Sequence, residues 1–108
     1  MIHQAPFTGW IDHGFYNFNP TFFWDLALAN QYHICIFAYL ELNPPKVIQL
    51  LNREQILEMA KTDVIGKNAN LFAVFRRPDQ PEPFKIPMQG YYGGAISKAA
   101  SDAWYSLR

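Results

Sequence analysis

The stretch "NLFAVFRR", residues 70 to 77, constrains the fold more than any other part of the chain, because it is apolar on both faces until Arg76. Side chains of a strand alternate between its two faces, so an apolar run without alternation predicts a strand that lies inside a sheet with both faces covered. Such a strand needs neighbours. "HICIFAYLEL", residues 33 to 42, supplies one, with Ile34, Ile36, Ala38, Leu40 and Leu42 on an aliphatic face and Cys35, Phe37 and Tyr39 on a mixed opposite face. Pro44 and Pro45 end it, since neither can donate to a ladder. Two strands rarely make a stable sheet. A third strand must come from the first residues, from "KVIQL" at 46 to 50, or from another copy of the chain.

Three helices are predicted around these strands, over 20–31, 53–62 and 95–106, which makes the fold class α+β with a small sheet. Asn19 can cap the first helix and Pro20 sits at its first position, where a missing N–H costs nothing. Phe22, Phe23, Leu26, Ala27 and Ala29, with Trp24 and Leu28 on the remaining side, predict burial nearly all round. In the second helix Asn52 is the cap, Gln55 stands in the capping-box position, and Leu51 is placed to staple against Ile56. Ile96, Ala99, Ala100, Ala103 and Leu107 recur at intervals of three and four in the last.

The 108 residues are read as one domain, with residues 1–11 as an N-terminal arm laid on the body through Phe7 and Trp10, and residues 78–90 as a proline-rich loop. Hydrophobic residues make up 50% and aromatic residues 17%, more large apolar surface than so small a core hides easily. Together with the uncovered strand, this excess predicts a homo-oligomer, most simply a two-fold dimer.

Nine basic residues balance nine acidic ones, which argues against nucleic acid and anionic membrane as partners. The distribution is uneven: residues 1 to 45 hold Asp12, Asp25 and Glu41 and no Lys or Arg, so all nine basic residues follow. The longest apolar stretches reach about half a membrane span, and no basic-then-apolar leader is evident. A single cysteine, Cys35, fits a reducing compartment, and a cytoplasmic protein is expected.

The order helix, strand, long insert, strand, with "NANLFAVFRRPD" at the second strand, resembles the C-terminal end of class I S-adenosylmethionine-dependent methyltransferases. "HGFYNFNPTFFWDLALANQY" is similar to the loop and helix before that strand pair in a bacterial branch of the family, and "FKIPMQGYY" to its tail. The resemblance covers most of residues 12 to 92 and implies that strands 33–42 and 70–77 pair antiparallel. The glycine-rich turn and the ribose-holding acid of that fold's cofactor half have no counterpart here. No cofactor is therefore expected, and the chain resembles a detached methyltransferase tail: a non-enzymatic, self-associating domain with room for a small organic ligand. The alternative is the acceptor-side piece of a split methyltransferase whose partner chain holds the methyl donor.

His13 is the candidate catalytic residue, since a neutral imidazole near Asp12, Asn17 and Asn19 can take a proton from a hydroxyl acceptor; the alternative is that it bonds a backbone carbonyl and fixes the turn at Gly14. Asn17 either binds a polar ligand atom or holds its own loop. Tyr91 and Tyr92, beside Gly93 and Gly94, can form an aromatic ligand wall or fill core and turn. Arg76, with Arg77, can take a carboxylate or phosphate in its fork, or simply close the strand. His3, His13 and His33 match no compact metal motif, so no metal site is expected. Cys35 is expected to be a buried, inert thiol.

Overall fold

The computed structural model describes residues 1–12, 14, 16–88 and 97–106, with the backbone alone at residue 104. The chain runs β1 (Ile2–Thr8), α1 (Pro20–Asn30), β2 (His33–Leu42), β3 (Pro45–Gln49), α2 (Arg53–Lys61), β4 (Ala69–Arg76) and α3 (Lys98–Ser106). The four strands form one antiparallel sheet in the order β1-β4-β2-β3, so the fold is α+β as expected. β4 lies inside the sheet, as its apolar run requires, but the described helices cover only one of its faces where its sequence predicts cover of both. Its ladder with β2 runs from His33 opposite Arg76 to Leu40 opposite Asn70. Two β-α-β units interlock: β1 and β2 flank β4, while β3 and β4 flank β2.

Both segments named as possible third strands are strands. The N-terminal arm is β1, which pairs with β4 from Ile2 opposite Val74 to Thr8 opposite Ala69. "KVIQL" contributes β3, joined to β2 through Asn43 and Pro44. No second copy is needed to complete the sheet, and the argument for a dimer from a shortage of strands falls. Phe7 and Trp10 do fasten the arm to the body: Phe7 meets the Tyr39 ring edge-on at 6.4 Å, and Trp10 Nε1 donates to the Ala69 carbonyl at 3.1 Å. Gly9 between them has φ 69°, and a Cβ there would stand 1.8 Å from the Lys67 carbonyl oxygen, so only glycine fits this approach.

The helices begin as their caps dictate. Asn19 accepts from the Thr21 N–H ahead of Pro20, and Asn52 accepts from the Gln55 N–H. Gln55 reaches back one residue further than a standard capping box, accepting from the Leu51 N–H at 2.7 Å and donating to the Gln49 carbonyl at 2.8 Å. Leu51 itself is exposed, so the expected staple against Ile56 is not a buried contact. Asn30 exchanges two hydrogen bonds with the Lys85 backbone, which ties the proline-rich loop to the end of α1.

The core lies between α1, α2 and one face of the sheet. Phe23, Phe37 and Phe75 pack ring against ring, with Tyr39, Leu71, Ala73 and Met59 continuing the layer. α3 rests on α2 through buried Ala100, and Ser97 bonds Glu54 at the start of α2. α1 is not buried all round: Phe22 and Leu28 are exposed, because the helix covers the sheet from one side only.

A second correction concerns β2. Its register shifts between Ile34 and Ile36, which leaves Cys35 as an extra, exposed residue. Ile34 therefore packs with the helix-side core while Ile36 points to the other face, although they share one face in an unbroken strand. The buried thiol is overturned by the same shift. Cys35 Sγ lies 3.9 Å from the His33 carbonyl oxygen.

Candidate functional site

Of the candidate residues read from the sequence, the two that can be placed, Asn17 and Arg76, do not come together. His13, Tyr91 and Tyr92 lie outside the described residues. Asn17 donates to the Gly9 carbonyl at 3.2 Å, the loop-holding arrangement, and so sits near the end of β1 that faces Ala69. Arg76 is exposed at the opposite end of β4. Seven residue steps at about 3.3 Å put these two ends on the order of 20 Å apart, too far to share a small ligand. Among the described residues no three His, Cys, Asp or Glu gather as metal ligands. No helix among them is long and apolar enough to cross a membrane.

One titratable cluster is well formed. Tyr39, fully buried, donates to Glu41 and accepts the Gly66 N–H at 2.7 Å, while Lys46 lies 3.6 Å from Glu41 and donates to the Val64 carbonyl. Every partner is backbone or another member of the group, and the result fixes the loop from α2 to β4. The Tyr39 hydroxyl holds the Glu41 carboxyl below its usual pKa, with Lys46 adding to the effect. Burial, and then the bond to Glu41, push the Tyr39 phenol up.

Both shifts bind folding to pH. Glu41 takes a proton less readily folded than unfolded, so its contribution is complete above the unfolded carboxyl range and is lost as pH falls through the lower folded value. Tyr39 is the reverse case, contributing fully below the ordinary phenol range and losing that contribution as pH rises through the raised folded value. Tyr39→Phe is expected to cost about 1 to 3 kcal/mol near neutrality. It should also flatten the stability profile at both its acid and alkaline ends. Urea midpoints measured across the pH range check this, and profiles that stay parallel for the two proteins would refute it.

An open depression of about 390 Å³ beside the end of α1 is lined by Trp24, Ala27, Leu28, Gln31, Tyr32 and Ile34. None of the six is charged. It can accept an apolar group and offers Gln31 and Tyr32 for orientation.

Among the described residues an extended apolar surface lies on the sheet face turned away from α1 and α2. The register arranges its side chains in rows across the strands. Ile2, Val74 and Ile36 form one row; Gln4, Phe72, Ala38 and Gln49 the next; Pro6, Asn70, Leu40 and Val47 the third. An antiparallel sheet with one face in water normally alternates apolar and polar residues. Here the outer rows hold no charged residue, and Arg76 and His33 stand beyond them at one end. Ile36 is 46% exposed and Val47 71%, with Ile2 and Leu42 also exposed. Phe72 and Val74 are half-buried by their neighbours in the sheet.

The missing alternation of residues 70 to 75 is the sequence signal for this face, since it predicts cover on both faces of β4. No protein-family model matches the chain, and neither a curated protein nor a solved structure matches it.

Proposed function

We propose that the chain is a non-enzymatic association domain that works through its open sheet face. The observation that carries this reading is an apolar, uncharged face of a four-stranded sheet that no described helix covers. Faces of this kind are depleted in charge because they are desolvated when a partner arrives. Chemistry has weaker support: Asn17 serves its loop, Arg76 stands apart from it, and the Tyr39 cluster is closed upon itself. The resemblance to a methyltransferase tail belongs to this proposal as a statement about origin. A split enzyme in which this chain gives the acceptor side would need a partner chain holding the methyl donor. The depression beside α1 is where a small organic ligand would sit. A reducing, cytoplasmic setting is part of the same reading, since Cys35 is exposed and has no second cysteine to pair with.

Two measurements test it. Titration calorimetry with S-adenosylmethionine should give no saturable heat; a complex tighter than about 100 μM, near 5.5 kcal/mol of binding free energy, would overturn the non-enzymatic reading. The double variant Ile36→Lys, Val47→Lys should keep its fold, because both side chains already reach water. It should also lose whatever protein association the unaltered chain displays. Association that persists unchanged would remove the face from the argument.

A further inference from the structure

We infer that the occupant of the open sheet face is a second copy of this chain, the two sheets packing face to face about a two-fold axis. The inference rests on the reading of that face as an association surface and names its partner. Two-fold pairing lays a patch against itself, so any charge near the axis meets its own like charge. The three rows across the sheet contain none. An acidic or basic partner would find nothing there to recognise. The exposed polar groups suit self-pairing, because the amides of Gln4 and Gln49 each carry both donor and acceptor and can satisfy the same amide in a copy.

The edges of the sheet point the same way. β1 carries Pro6 and a register shift between Pro6 and Thr8, and β3 opens with Pro45 followed by Lys46. Proline, lysine and irregular register on an edge strand all oppose the addition of another strand. Growth of the sheet sideways is therefore obstructed while its face is open. Four strands about 4.8 Å apart and averaging roughly 25 Å long give a sheet face on the order of 500 Å², or about 1,000 Å² for two copies, which reaches the lower limit for a specific interface. Packed sheets lie about 10 Å apart, a spacing that the medium-sized side chains of these rows can fill.

Light scattering coupled to size exclusion on the full chain tests the inference. The expected mass is about 25 kDa, twice the 12.5 kDa of one chain. Ile36→Lys and Val47→Lys should each shift it to the monomer with an unchanged circular dichroism spectrum. Ile86→Lys, on the loop tied to α1, should leave the dimer intact. Ile36 belongs to an interior strand, so its variant separates face pairing from edge pairing. A dimer that survives both face variants overturns the inference and, with it, the association reading of the face. A monomeric unaltered chain overturns the second copy alone if it binds an apolar fluorescent dye that Ile36→Lys reduces, since the face is then open to a different partner. A monomer with no such dye signal overturns both.

Discussion

Phe37→Ala is expected to lower the stability of the folded chain by about 3 to 5 kcal/mol, within the range for removing a large aromatic side chain from a packed core. Phe37 is 1% exposed and stands at the centre of the ring cluster, with centroids 5.5 Å from Phe23, 5.1 Å from Trp24 and 6.2 Å from Phe75. Those partners come from α1 and β4, so one truncation loosens both the helix and the strand pair. The sheet backbone and three aromatic neighbours limit how far the cavity can collapse, and this puts the cost toward the upper part of the range. Ile36→Ala, one residue earlier on the open face, is the control. In the monomer it should cost less than about 1.5 kcal/mol, because a half-exposed side chain gives up little buried area. Denaturant midpoints at low protein concentration measure both. Equal losses would mean that the two faces of β2 are covered alike, contrary to the arrangement described here.

That contrast between neighbouring residues marks the boundary of what the sequence discloses. β4 and β2 were legible because long apolar runs without helical spacing leave few alternatives, and α1 and α2 because Asn19-Pro20 and Asn52 with Gln55 are local signals that tertiary contacts did not override. β1 was hidden. It is an edge strand containing Pro6 and followed by Gly9, and only Ala5 and Phe7 give it an inward apolar side, so it reads as an irregular arm until β4 lies beside it. The extra residue at Cys35 is hidden for a different reason: a bulge moves every later side chain to the other face, yet nothing in "HICIFAYLEL" says where the alternation slips. Of the candidate site, only Asn17 and Arg76 can be placed. Each has a plausible chemical role in isolation, and only the ladder reveals that Asn17 sits beside one end of the β1–β4 pair and Arg76 at the other. The open face was legible in part, since excess apolar surface demanded cover. The sequence called for both neighbouring strands and cover on two faces; the structure supplies the strands, and the described helices cover one face.

Arg53→Ala carries the second large effect, an expected loss of about 3 to 5 kcal/mol, because it takes the guanidinium away from a carboxylate held in the interior. Asp25 is only 3% exposed on α1, and Arg53 opens α2, so their ion pair joins two helices that otherwise touch over a short contact. The guanidinium also lies over the Trp24 ring, 5.8 Å from its centroid, and this places the arginine stem against the same aromatic layer that holds Phe37. Coulomb attraction in an exposed pair such as Lys98 with Asp102 is nearly offset by hydration and side-chain entropy. For Asp25 the balance differs, since a carboxylate in the interior loses its cation and keeps only its remaining contacts. Arg53→Lys should recover only part of the loss, as a point charge lacks the planar fork and its stacking on Trp24. Replacing both partners, Asp25→Asn with Arg53→Met, should be markedly less damaging than Arg53→Ala alone, because no buried charge remains. Chemical unfolding of the four proteins decides the matter: if the double variant loses as much as or more than Arg53→Ala, the pair stabilises by packing alone and the electrostatic account of the α1–α2 contact is wrong.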